Sequence, residues 1–103
     1  MPYIKQNFRD SIDKELDALA EKIKQVHEDN PKQTRDGLIN YALTRMLNNI
    51  YADARYHDMN EIIGVLECCK LEYYRKLIAP YEDQKEHENG EVKRYDSGNS
   101  KGY

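Results

Sequence analysis

Residues 58–90 read DMNEIIGVLECCKLEYYRKLIAPYEDQKEHENG, and their hydrophobic spacing decides the fold. At 100° per residue, Met59, Ile62, Ile63, Leu66, Cys69, Tyr73 and Leu77 fall on one stripe, the period of a helix. That stripe reads as core. Gly64, Cys68 and Leu71 follow at i, i+4 and i+7 on the far side and make a second, narrower apolar seam. A surface helix is polar there. A helix apolar on two sides is central in its fold or buried against another chain, and Gly64 leaves room for a partner backbone. Asp58 is the expected N-cap, with Glu61 at capping-box spacing. Pro80 lacks an N–H and is expected to kink the helix or start a new one. The charged segment PYEDQKEHE follows, and Asn89-Gly90 supplies a stop.

Upstream, a second helix is predicted from Thr34 or Asp36 to Tyr51. Leu38, Ile39, Ala42, Leu43, Met46, Leu47 and Ile50 form its broad apolar face. Asn40, Tyr41, Thr44, Arg45, Asn48 and Asn49 fill the rest. A first helix is predicted over residues 10–27, capped by Asp10. Ile12, Leu16, Leu19, Ala20, Ile23 and Val26 recur at helical spacing against a polar face. Glu28-Asp29-Asn30-Pro31 ends it. Residues 1–9 read as an ordered arm, pinned by Tyr3, Ile4 and Phe8. Short loops imply antiparallel neighbours.

Downstream of Gly90 the sequence EVKRYDSGNSKGY is polar and aperiodic. The expected organisation is one helical domain over residues 1–90 and a mobile C-terminal tail over 91–103, with Val92 docked. No strand pattern or internal repeat is present. The expected fold class is all-α: a three-helix unit with a long Pro-kinked third helix, assembling as a homo-oligomeric helical bundle. About 80 folding residues make a marginal core alone, which favours the oligomer.

Composition narrows the function. Charged residues are 34 % of the chain and the net charge is −3, which argues against duplex nucleic acid held on a basic face. No apolar run approaches the ~20 residues that span a bilayer, and no secretory signal opens the chain, so the expected compartment is the cytosol. The two cysteines, Cys68 and Cys69, are adjacent and point about 100° apart on a helix. They read as small buried apolar residues, and no second thiol pair completes a zinc site.

Catalysis finds little support. His27, His57 and His87 read as exposed, and no HExxH, GxSxG, Walker or dinucleotide motif is present. Glu82, Asp83 and Glu86 have the spacing to hold a cation, but a solvated acidic face near a helix start explains them as well. We therefore expect no catalytic residue, no metal and no cofactor. Aromatic usage is lopsided, with nine Tyr, one Phe and no Trp. Tyr73, Tyr74, Arg75, Lys76 and Tyr81 lie close together, and Tyr41 and Arg45 share a helix face at i, i+4. Asn40 and Thr44 are a neighbouring polar pair. A nucleotide needs a ring to stack on its base, Arg or Lys for phosphate, and amides or hydroxyls for base edges. The same residues also read as interface tyrosines with a solvated cationic rim.

The MPYIKQ start with Arg9-Asp10, then LINYALTRML, then GVLE-C-K-E-YYR-APYED-K-ENG in fixed order resemble a family of small phage and prophage proteins. The resemblance covers about 90 residues. Members of that family end soon after the ENG element, where this chain continues, and the connection near Pro31 to Gly37 is longer here. The chain also resembles tetrameric sponges that trap the cyclic nucleotide signals of bacterial anti-phage immunity (CBASS). That likeness implies a host-cytosolic protein that sequesters a cyclic dinucleotide such as 3′,3′-cGAMP without cleaving it. The expected ligand residues are Tyr3, Lys5, Asn40, Tyr41, Thr44, Arg45, Tyr74, Arg75 and Tyr81, with Tyr3 and Lys5 closing the pocket. The expected partners are the ligand and further copies of the chain, with no membrane. Two alternatives stay open. One is a non-catalytic scaffold whose acidic helix docks a host or phage protein. The other is an enzyme that opens the nucleotide, for which no general base or metal set is visible.

Overall fold

The computed structural model describes residues 2–93. Among these the protein is all-α, with helices α1 (Gln6–Asp29), α2 (Arg35–Ile50), α3 (Tyr56–Tyr73) and α4 (Ala79–Asn89). A π-helical turn, Tyr74–Ile78, joins α3 to α4, so the sequence's third helix is continuous from 56 to 89. Backbone contacts cluster into two compact units, Met1–Leu66 and Glu67–Tyr103.

In the first unit α1 begins four residues before Asp10, because nothing in QNFR breaks a helix and Phe8 extends the apolar stripe. Asp10 is not the cap; its carboxylate accepts from the Gln6 side chain at 2.8 Å. Lys5 occupies the cap position in extended backbone, and its carbonyl accepts from the N–H groups of Phe8 and Arg9. The extended arm is thus only residues 2–5. Arg9 Nε donates to the Ile4 carbonyl at 2.7 Å and fastens the arm to the helix. Tyr3, Ile4 and Phe8 do not pin it onto a body, being 53 %, 44 % and 57 % exposed.

At the other end of α1, His27 Nδ1 lies 2.7 Å from the Gln33 carbonyl. A carbonyl only accepts, so this nitrogen carries the proton. The bond closes the five-residue loop 30–34, and His27 is half-buried rather than exposed. Thr34 caps α2, its hydroxyl accepting from Gly37 N–H at 3.3 Å. Asp36 accepts the same N–H at 2.9 Å. Its carboxyl is held below the ordinary value, first by the Thr34 hydroxyl and then by Gly37 N–H.

The short loop folds α2 back along α1 as an αα-hairpin. Ile23, Val26, Leu38 and Ala42 are half-buried at the contact. With 24 residues against 16, α1 is about 12 Å longer than α2 at 1.5 Å per residue. Its first turns overhang.

The C-cap of α2 is Tyr51, whose hydroxyl donates to Glu61 of α3 at 2.6 Å. Asp58 does not cap α3 in the expected way. It sits inside the first turn and reaches back to accept Arg55 N–H at 3.0 Å, the return half of a capping box.

No described residue is buried. The stripe read as core keeps only Ile62 half-buried, while Ile63, Tyr73 and Leu77 are 66 %, 60 % and 61 % exposed. Cys68 and Cys69 are exposed, against the expectation of buried thiols. A Cβ on Gly64 would meet no atom within 4 Å. The periodicity that identifies the helix is correct, but most of the stripe is left uncovered by the described residues.

Of the two effects expected of Pro80, the second unit shows the start of a new helix, α4, preceded by a π turn. Pro80 cannot donate to the carbonyl four residues back, and its ring clashes there. The chain responds by widening one turn: Ala79 N–H bonds to Tyr74 carbonyl, an i to i+5 step. Pro80 then sits in the first turn of α4, where a missing N–H is harmless. Ile78 and Ala79 keep helical dihedrals throughout. The helix ends as predicted at Gly90, whose φ of 86° and ψ of 152° suit glycine alone. Val92 is not docked; it is 90 % exposed. Residues 94–103 of the expected tail lie outside the described residues.

Candidate functional site

The nine expected ligand residues divide between the two units: Tyr3, Lys5, Asn40, Tyr41, Thr44 and Arg45 in the first, Tyr74, Arg75 and Tyr81 in the second. In the first unit an open groove of about 540 Å³ runs between α1 and α2. That volume lies within the range of small-molecule sites. Its floor is apolar, built from Leu19, Ile23, Val26, Leu38, Ala42 and Met46.

Tyr41, Arg45 and Asn49 stand along its α2 wall, one helical turn apart, and Lys22 faces them from α1. Arg45 Nη1 donates to the Tyr41 hydroxyl at 3.3 Å, which holds the ring and the guanidinium as one unit. Tyr41 is 63 % exposed, so a ring face is open for stacking. Among the described residues neither Lys22 nor Arg45 is paired with a carboxylate. Two cations, a ring and an amide along one apolar trough can hold a flat, doubly anionic ligand.

Asn40 and Thr44 do not join that row. They line a separate groove of about 340 Å³ on the opposite side of α2, with Leu43, Leu47 and Leu66. Thr44 donates to the Asn40 carbonyl at 2.8 Å, an inward bond that commits its proton to the helix. Tyr3 and Lys5 line neither groove.

In the second unit the aromatic and cationic groups already have anionic partners. The Tyr74 hydroxyl donates to Glu82 at 3.0 Å, which raises its pKa above the ordinary value, chiefly through that bond and then through the carboxylate charge. Arg75 pairs with Glu72 at 3.0 Å. Lys85 lies 5.6 Å from the Tyr81 ring centroid and covers one face of it. A phosphate here would displace a carboxylate and meet Glu82, Asp83 and Glu86. Among the described residues no cluster of His, Cys, Asp or Glu is arranged to hold a metal ion. Nor is any described helix long and apolar enough to cross a membrane.

Sequence reading finds Tyr41 and Arg45 but misses Lys22 and Asn49. Both are legible in retrospect. Lys22 lies three residues after Leu19 and four before Val26, a cation on the edge of the apolar stripe, and Asn49 continues the i, i+4 row of Tyr41 and Arg45.

The chain belongs to the family described as a domain of unknown function, DUF6899, whose model matches residues 1–92. The match covers both units' described helices and ends at Val92, next to where the described backbone leaves helical structure. No curated protein and no solved structure matches the chain.

Proposed function

We propose that this is a non-enzymatic binding protein of phage origin. It assembles with further copies of itself, as a tetramer, and sequesters a cyclic dinucleotide such as 3′,3′-cGAMP without cleaving it, so that CBASS immunity is blocked in the host cytosol. The observation that carries the reading is the row Tyr41, Arg45 and Asn49 opposite Lys22 over the α1–α2 groove. Tyr41 stacks on a base, Arg45 and Lys22 neutralise the two phosphates, and Asn49 reads a base edge. The absence of any buried residue among those described supports assembly, since a chain that covers no side chain fully has a thin hydrophobic reserve of its own.

Calorimetry of the protein against a panel of cyclic di- and trinucleotides tests it, with the ligand recovered by heating and checked intact. Binding with intact recovery supports a sponge. Arg45→Ala is expected to weaken it roughly tenfold to a hundredfold, the loss of one charged hydrogen bond of about 1.5–3 kcal/mol. No heat from any member of the panel rejects it.

A second reading has its own support. Tyr74 and Arg75 are engaged by Glu82 and Glu72, which gives the second unit a solvated, mixed-charge face suited to a protein partner rather than to a nucleotide. On that reading the protein is a non-catalytic scaffold. Pull-down of a host or phage protein that depends on α4, together with silence in calorimetry, favours it.

A further inference from the structure

We infer that α1 pairs with α1 of a second copy, antiparallel and about a two-fold axis at Ile12. The inference rests on the assembly half of the reading above and not on its ligand half.

Ile12, Leu16, Leu19, Ile23 and Val26 are spaced 4, 3, 4 and 3, the a/d pattern of a helix–helix seam. The C-terminal part of this row, Ile23 and Val26, meets α2 inside the hairpin. The N-terminal part has no such cover. Phe8, Ile12, Leu16 and Leu19 are 57 %, 48 %, 46 % and 42 % exposed, and α1 packs substantially on no described element besides α2. The overhang supplies the free length: its two to three turns carry Phe8 and Ile12 past the end of α2.

A second copy is the occupant because the surface complements itself. An isologous interface requires that what residue i does to residue j, j does to i. Antiparallel pairing about Ile12 sets Phe8 against Leu16 of the partner subunit, and Leu16 against the partner's Phe8. Arg9 and Asp13 flank the same side of the row one turn apart. The two-fold therefore places Arg9 beside Asp13 of the partner subunit, and Asp13 beside the partner's Arg9. Opposite charges meet twice. Parallel pairing would instead stack each residue on its own copy and lose this match. The α1–α2 groove shares Leu19, Ile23 and Val26 with the row, but its lining does not include Phe8, Ile12 or Leu16, which carry the pairing.

The test needs no nucleotide. In a Cys68→Ser/Cys69→Ser background, Ile12→Cys is placed on the axis and is expected to give a disulfide-linked dimer on mild oxidation, whereas Ile63→Cys on α3 is not. Light scattering gives the mass, and circular dichroism verifies that each variant keeps its helix. Arg9→Asp and Asp13→Arg are each expected to weaken association roughly tenfold. The double variant, which exchanges the charges, is expected to restore it. A monomer at tens of micromolar overturns both the seam and the assembly half of the proposed function. An oligomer that cross-links no better at Ile12 than at Ile63, or that ignores the charge exchange, overturns the seam alone.

Discussion

The α1–α2 hairpin and the π turn with α4 hold their helices in opposite ways. In the hairpin, apolar side chains from two helices meet, and a single surface ion pair, Lys24–Glu21, lies along α1. In the π–α4 segment the ties are local and polar: Arg75 to Glu72, Tyr74 to Glu82, Lys85 and Gln84 to Glu88. Exposed ties of that kind contribute about 0–1 kcal/mol each and are screened by salt. Apolar contact contributes more, and it grows when further surface is covered. On the proposed assembly the hairpin would gain from a partner, whereas α4 is already dressed for water.

The largest expected effect is a charge in the hairpin contact. Leu38→Asp sets a carboxylate where α1 packs and is expected to cost about 3 kcal/mol, visible as a lower melting temperature by circular dichroism. The matching change on the other side, Glu88→Ala, removes an exposed pair with Lys85 and should move the melt by no more than about 1 kcal/mol. Equal effects would mean that the two regions are held alike.

Gly90→Ala comes next. Its φ of 86° is strained for any side chain, and about 1–2 kcal/mol should be lost locally. The readout is faster amide exchange at residue 90, whose N–H bonds to the Glu86 carbonyl at 2.8 Å, with α1 and α2 protection unchanged.

Alkaline pH tests two polar ties, Tyr51 to Glu61 between the end of α2 and α3, and Tyr74 to Glu82 in the π–α4 segment. Tyr51 and Tyr74 have pKa values raised above the ordinary 10.0, each chiefly because its hydroxyl donates to a glutamate, Glu61 or Glu82. A raised value means the protonated phenol is favoured in the fold. That contribution is complete below the ordinary value and is lost as pH climbs through the higher, folded one. Urea melts should weaken over that range, and Tyr51→Phe with Tyr74→Phe should flatten the fall. Pro80→Ala sharpens the point: it removes the cause of the π turn, and Tyr74 should then titrate near its ordinary value.

The smallest effect is Gly64→Ala. With open space around the added Cβ, helix propensity alone should stabilise the isolated helix by about 0.8 kcal/mol. A loss of assembly in the same variant, seen by light scattering, would show that this open space is filled in the oligomer.

How much of this was legible in the sequence depends on the range of the interaction. Helix identities, the start of α2 near Thr34 and the Gly90 stop come from neighbours within four residues, and the sequence carries them. Asp58 misleads because a carboxylate near a helix start can cap forwards or bond back within the first turn, and Asp10 misleads because the helix already runs from Gln6. The stripe on α3 was read as core because periodicity reports which face is apolar, not what covers it. In the candidate site, Tyr41 and Arg45 were legible as an i, i+4 pair. Their separation from Asn40 and Thr44 was not, because it depends on which flank of α2 faces α1. Lys22 was missed because it joins the site across two helices, beyond the range of local spacing.

The bond between Tyr74 and Glu82 spans eight residues, which in a plain α-helix leaves two side chains about 80° apart around the axis. The π turn swallows one residue, so eight steps rotate the chain as seven would and the two groups line up. The turn thus acts as a phase shifter. By absorbing one residue in a single wide turn, the chain keeps Glu82 in phase with Tyr74, and a one-residue deletion within 74–78 combined with Pro80→Ala should leave that alignment where it is.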